Sequence, residues 1–143
     1  MIQNFKSYVD ERGSLTAIDY KELPFSPIER VFFVNNVPFG SIRGGHAHRK
    51  TSQFLLCISG QVFVYLNDGF KTWIISLKKN QGVFIPPLIW DTQFFCSNTH
   101  VVVFANTKYD RSDYITDFKE LLSIRKNRSN TIKKIKIYIN EKS

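Results

Sequence analysis

Short runs of β-forming residues, each closed by turn residues, constrain this 143-residue chain more than any other feature. VFFVNNV (31–37) stops at Pro38 and Gly40, and QFLLCIS (53–59) stops at Gly60. QVFVYLN (61–67) and KTWIISL (71–77) flank Asp68-Gly69, the composition of a hairpin turn. GVFIP (82–86) follows Asn80-Gln81, and TQFFC (92–96) and HVVVFA (100–105) complete the series. Many short strands with few helical signals predict an all-β sandwich or barrel. Helical spacing is confined to 111–125, where Phe118, Leu121, Leu122 and Arg125 follow i, i+3, i+4, i+7 and Asp113 stands where a cap would. Neither an internal repeat nor a linker interrupts the pattern, so one domain with a sizeable core is expected.

Charge divides the chain unevenly. Of the net +8, residues 125–143 carry +6, and residues 1–124 are close to balanced. A basic tail attracts polyanions. Here, however, Ile135, Ile137 and Ile139 alternate with Lys136 and Tyr138, the period of a strand, which a purely electrostatic arm has no need of. The tail therefore reads as a solvated extension or packing element, with no nucleic-acid partner. Cys57 and Cys96 both lie in apolar runs and read as buried thiols of a reducing compartment. With no long apolar span and no signal-like start, a cytoplasmic protein without a membrane partner is expected.

The chemistry is concentrated between Gly40 and Gly60, GSIRGGHAHRKTSQFLLCISG. The order is Gly, five residues, His46, one residue, His48, four residues, Gln53, six residues, Gly60. This spacing resembles the first cupin motif, Gly-x5-His-x-His-x4-Glu-x6-Gly, with Gln53 where the acidic metal ligand would stand. An amide is a poor substitute for a charged carboxylate ligand. The second cupin motif supplies a further imidazole, but the matching stretch here, GVFIPPLIWD, ends in Trp90 and Asp91. Two imidazoles, with at most Asp91 beside them, make a weak metal site. The expectation is therefore no metal and no cofactor. On a strand, His46 and His48 at i, i+2 point to one face. Two imidazoles there can move protons near neutral pH.

Three blocks in order, IRGGHAHRKTSQFLLCISG, GVFIPPLIW and ANTKYDRSDYITDFKELL, resemble the sugar 3,4-ketoisomerases that act on dTDP-4-keto-6-deoxyglucose. The likeness covers roughly residues 8–123 and includes Arg12-Gly13-Ser14-Leu15. It implies a cupin-type jelly roll, a double-stranded β-helix barrel with a short C-terminal helix. It also implies a homodimer with exchanged N-terminal strands and isomerisation through an enediol without a metal. The product would be a dTDP-3-keto-6-deoxyhexose on the way to a deoxy amino sugar of a surface glycan such as an O-antigen. On this reading His46 and His48 are catalytic. Arg43 and, more weakly, Arg30 are candidates for the diphosphate, since a guanidinium pairs its donors with phosphate oxygens. Gln53 and Trp90 are candidates for contact with the sugar or base. Tyr109, Asp110, Asp113 and Tyr114 are read as organising the rim or the helix cap. Departures from the family pattern are Arg111 for Glu, Thr116 for Arg, and Phe32-Phe33 where a Tyr is common. The expected division is a cupin-like domain over 1–124 and a basic tail over 125–143. The alternatives are a non-catalytic nucleotide-sugar-binding cupin module and a related nucleotide-sugar epimerase.

Overall fold

A computed structural model describes residues 2–142. The strands are β1 Ile2–Asn4, β2 Ser7–Asp10, β3 Gly13–Thr16, β4 Arg30–Val34, β5 Ile42–His48 and β6 Gln53–Ser59. They continue with β7 Gln61–Asn67, β8 Thr72–Lys78, β9 Gln81–Ile85, β10 Trp90–Phe95, β11 His100–Ala105 and β12 Tyr114–Ile115, and the chain ends in one helix, α1 Phe118–Lys142. Two five-stranded antiparallel sheets, β1-β9-β6-β11-β4 and β12-β5-β10-β7-β8, face each other, and β2 and β3 form a separate hairpin. This is the cupin-type jelly roll.

The strands form where alternation and turn chemistry agree. In β7, Val62, Val64 and Leu66 point inward while Phe63 and Tyr65 point out, the period of two of a strand with one buried face. The β7–β8 turn is closed by Asp68, whose Oδ1 accepts from the backbone N–H of Phe70 (2.8 Å) and Lys71 (2.7 Å). Gly60, at φ +76°, lets β6 pass into β7, and a Cβ there would sit 2.4 Å from the Thr99 hydroxyl oxygen. β6 reads as a continuous apolar run because both of its faces are covered. Leu55 and Cys57 enter the core between the sheets with Val62, Leu77 and Phe95. Phe54 and Leu56 pack outward against Phe5 and Leu23 of the N-terminal segment. Each fully buried side chain of this size contributes roughly 1.5–3 kcal/mol.

The helix differs from expectation. It begins at Phe118, capped by Asp117, whose Oδ1 accepts from the N–H of Lys119 at 2.9 Å. It runs 25 residues, so the tail is helical rather than a strand, and the expected boundary at 124/125 falls inside one continuous element. No Gly or Pro occurs after Pro87 to interrupt it, and the backbone of Ile135–Ile139 follows the helical period. Phe118, Leu121 and Ile124 dock on Ala47, Leu88 and Ile115, and Arg125 donates through Nε to the carbonyl of Leu88 at 3.1 Å. Ser129, Asn130 and Lys133 still flank a pocket shared with Gly69 and Phe70 of the β7–β8 turn, while Ile132, Ile135 and Ile137 are each more than half exposed. Ser143, the last residue of the expected tail, lies outside the described residues. Among the described residues no helix is long and apolar enough to cross a membrane.

Candidate active site

β5 carries the site. Its residues alternate, so Ala47 is fully buried beneath α1 while His46 and His48 share the opposite face, their rings 5.1 Å apart and edge to face. The strand is kinked by Gly44 (φ +77°) and Gly45 (φ +75°), next to a register shift at Asp91/Thr92 of β10. A Cβ on Gly44 would lie 2.6 Å from the Asp91 carbonyl oxygen, so only glycine lets the two strands approach here. Beyond the kink, His46 pairs directly with Asp91. On the other edge, β12 sets Tyr114 opposite His48, with the phenol ring 4.9 Å from the His46 ring and 4.5 Å from that of His48.

A cavity of about 230 Å³ opens at this point. His46, Tyr114, Gln53, Asp91, Gln93 and Arg43 supply its polar lining, and Phe32, Val34 and Val103 its apolar wall. His48 lies just behind His46, 5 % exposed, with its Nδ1 2.9 Å from Asp113 Oδ2. Asp113 also accepts from the Thr51 hydroxyl and, at 2.8 Å, from the Lys50 N–H. Burial alone would raise the Asp113 carboxyl, but the hydrogen bonds from Thr51, Lys50 and His48 outweigh it and hold the group below the ordinary aspartate range. An ionised Asp113 fixes the Nδ1–H tautomer of His48 and leaves Nε2 bare. That Nε2 is buried and has no hydrogen-bond partner.

Both imidazoles are held below their usual pKa. Burial is the main cause for His46, with repulsion from His48 adding to it. Burial is also the main cause for His48, opposed by Asp113 and reinforced by Arg30. Both are therefore neutral bases at pH 7. Asp91, 3 % exposed, moves the other way: burial pushes it up to about 7, against a hydrogen bond from Gln93 Nε2 at 2.8 Å. A neutral imidazole, His46, and a carboxyl that titrates near neutrality, Asp91, line one small space, with the His48 imidazole behind. That arrangement suits proton transfer to and from a substrate.

The residues singled out from the sequence are dispersed around this space. His46, Arg43 and Gln53 line the cavity, with His48 adjoining. Arg30 lies outside the lining, its guanidinium 5.3 Å from the Phe32 ring and 5.6 Å from the Tyr109 ring, with Nε buried and unpartnered. Trp90 is on the other side of β10, edge-on to Phe118 at 5.4 Å, because alternation sends residue 90 toward α1 when residue 91 faces the cavity. Asp113 holds His48 rather than capping α1. Sequence reasoning passed over Gln93, although Asp91, Gln93 and Phe95 at i, i+2, i+4 already marked one face of β10. The donor set does not suit a cupin metal. Gln53 offers an amide in place of a carboxylate, and among the described residues no three His, Cys, Asp or Glu side chains gather to hold an ion.

Fold and site together define a small cupin-type barrel with an acid–base pocket. Residues 1–126 match the family model described as "FdtA: WxcM-like, C-terminal", and the chain belongs to that family. It is 38% identical over 118 residues to a TDP-4-oxo-6-deoxy-α-D-glucose-3,4-oxoisomerase of Aneurinibacillus thermoaerophilus, covering 80% of this chain and 84% of that one. It is similar to the 3,4-ketoisomerase QdtA of Thermoanaerobacterium thermosaccharolyticum, with 32% identity, a TM-score of 0.82, and 90% and 94% of the two chains covered. That structure is of a histidine-to-asparagine variant in complex with TDP-4-keto-6-deoxyglucose. A 3,4-ketoisomerase of Helicobacter canadensis superposes with a TM-score of 0.80 at 34% identity, over 87% of this chain and 95% of that one.

Proposed function

We propose that this protein is a 3,4-ketoisomerase of dTDP-4-keto-6-deoxyglucose, moving the carbonyl from C4 to C3 of the sugar for deoxysugar biosynthesis. The observation that carries the reading is His46. It is a neutral imidazole on the wall of a sugar-sized cavity, in ring contact with Tyr114 and backed by the His48–Asp113 pair. The C–H next to a ketone is a weak acid. Its removal needs a positioned base together with groups that stabilise charge on the ketone oxygen. His46 is the base that reaches the cavity. His48, oriented by Asp113, and the Tyr114 phenol supply the polar surroundings in which an enediol forms. Arg43, exposed on the cavity lining, meets the diphosphate. The reaction neither oxidises nor reduces the sugar overall, so no redox partner is required.

The protein acts as a homodimer in which the N-terminal arm crosses to the partner. Support comes from the β2–β3 hairpin, which stands off the barrel with Tyr8, Val9 and Leu15 largely exposed, an apolar surface suited to burial against a second copy. Light scattering is expected to give twice the chain mass, and an active monomer at micromolar concentration would contradict this assembly.

The activity is tested by incubating the purified chain with dTDP-4-keto-6-deoxyglucose and following the sugar carbons by NMR. The expected result is loss of the C4 carbonyl signal and growth of one at C3. Saturable binding with no change in the sugar would make the chain a binding module. Inversion at a carbinol with the ketone retained at C4 would make it an epimerase.

A further inference from the structure

Among the described residues lining the cavity, Asp91 carries the one carboxyl group, and one of its oxygens has no protein partner. Oδ2 accepts from Gln93, whereas Oδ1 is buried with nothing to bond. A buried polar atom left open is costly, and in a cavity wall it is placed to meet a ligand. Asp91 is also the residue paired with His46 across the β5–β10 ladder, so the two side chains rise from the same face at neighbouring positions. The tight approach at Gly44 fixes that pairing.

Resting on the isomerase reading above, we propose that Asp91 is the catalytic acid–base for the sugar oxygens, giving a proton to O4 as the C3–H bond breaks and recovering one from O3 as the C4–H bond forms. In the first half, an imidazole takes the C3 proton and the C–H electrons form the C3=C4 double bond. The carbonyl electrons move to O4, which takes the proton of Asp91. The products are an enediol, an imidazolium and an aspartate. In the second half, the imidazolium returns its proton to C4 and O3–H returns its proton to Asp91, which leaves C3=O. Every proton and electron pair is accounted for, and the enzyme ends in its starting state. The transient carboxylate and imidazolium face each other across a largely buried cavity wall, where their attraction is stronger than in bulk water.

Burial keeps Asp91 protonated up to about pH 7, so the acid is present when the bases are neutral. The charged or titratable groups facing it are His46 and Arg43 on β5, with His48 behind, and Tyr114 on β12. From β4, β6 and β11 the cavity is lined by uncharged side chains, and the β7 residue paired with Asp91 is Leu66.

Asp91→Asn keeps the shape of the side chain and an acceptor for Gln93 but carries no transferable proton. Turnover is expected to fall by about 10²–10⁴-fold with little change in KM. Wild-type activity is expected to decline above pH 7 as Asp91 ionises, and Asp91→Asn to lack that decline. If that variant does not fold, Asp91→Ser assayed with and without formate replaces it, and formate is expected to restore part of the rate. An active wild type beside an equally active Asp91→Asn with an unchanged pH profile, or an Asp91→Ser indifferent to formate, would overturn the role of Asp91 alone. A folded wild type with no turnover would overturn the isomerase reading and this role with it.

Discussion

The cavity wall built by β5 and β10 and the distal half of α1 both concentrate ionisable side chains, and they hold them in opposite ways. In the cavity region His48, Asp91 and Asp113 are almost fully buried, and His48 and Asp113, 65 residues apart in the chain, are brought together. Burial moves the proton affinities of His48 and Asp91 and leaves His48 Nε2 and Asp91 Oδ1 open. On α1, Lys133, Lys134 and Lys136 stand in solvent beside exposed isoleucines, and the family match ends at residue 126, before most of this basic half. Charge becomes chemistry where water is removed and partners are few. Where water remains, it adds mainly solubility and long-range attraction.

His46→Asn should break the first half of this contrast most severely, lowering turnover about 10²–10⁴-fold, as expected for loss of a general base. The check is steady-state kinetics on a variant whose melting temperature is unchanged. A variant near wild-type rates would make His46 an ordinary barrel histidine.

The next effect is on stability. Folded Asp91 keeps its proton to about pH 7, whereas an unfolded aspartate releases it near 3.8. Between those values the native state binds the extra proton, so this group's contribution to stability is lost as pH rises through the window. Asp91→Asn lacks that dependence, and the two histidine contributions are common to both proteins. Its stability relative to wild type should therefore climb between pH 5 and pH 8, on the order of 2 kcal/mol. Parallel melting curves across that range would show that Asp91 ionises normally in the fold.

Deleting residues 127–143 should matter least, leaving turnover within about twofold, since among the described residues none of that half of α1 lines the cavity. A large loss of kcat in a folded truncation would mean that the basic helix belongs to the working site.

Much of this was legible in the sequence, for identifiable reasons. β6, β7 and β11 end where expected because glycine, asparagine and serine punctuate runs whose alternation is strong. The two histidines on one face follow from their i, i+2 spacing alone. The helix differs from the 111–125 that its spacing predicts, running over Phe118–Lys142. Ile135, Ile137 and Ile139 satisfy a period of two, yet Ile132, Ile135 and Ile139 also fit helical spacing, and with no glycine or proline nearby the backbone took the helix. Asp113 reads as a cap in the sequence because local sequence cannot show a partner 65 residues away; only the pairing of β12 with β5 brings it to His48. Trp90 was set beside the substrate by its place in a motif, although alternation with Asp91 already sent one of the two outward.

The most direct measurement follows deuterium during turnover of dTDP-4-keto-6-deoxyglucose in D₂O by wild type and His46→Asn, read by NMR at C3 and C4. With His46 as the carbon base, wild type is predicted to form the 3-keto sugar with the C3 hydrogen carried to C4, solvent deuterium entering only to the extent that the imidazolium exchanges first, and His46→Asn to lose both exchange and product. Wild-type product forming while His46→Asn exchanges and isomerises at the same rate would contradict the account, placing the carbon base elsewhere in the barrel.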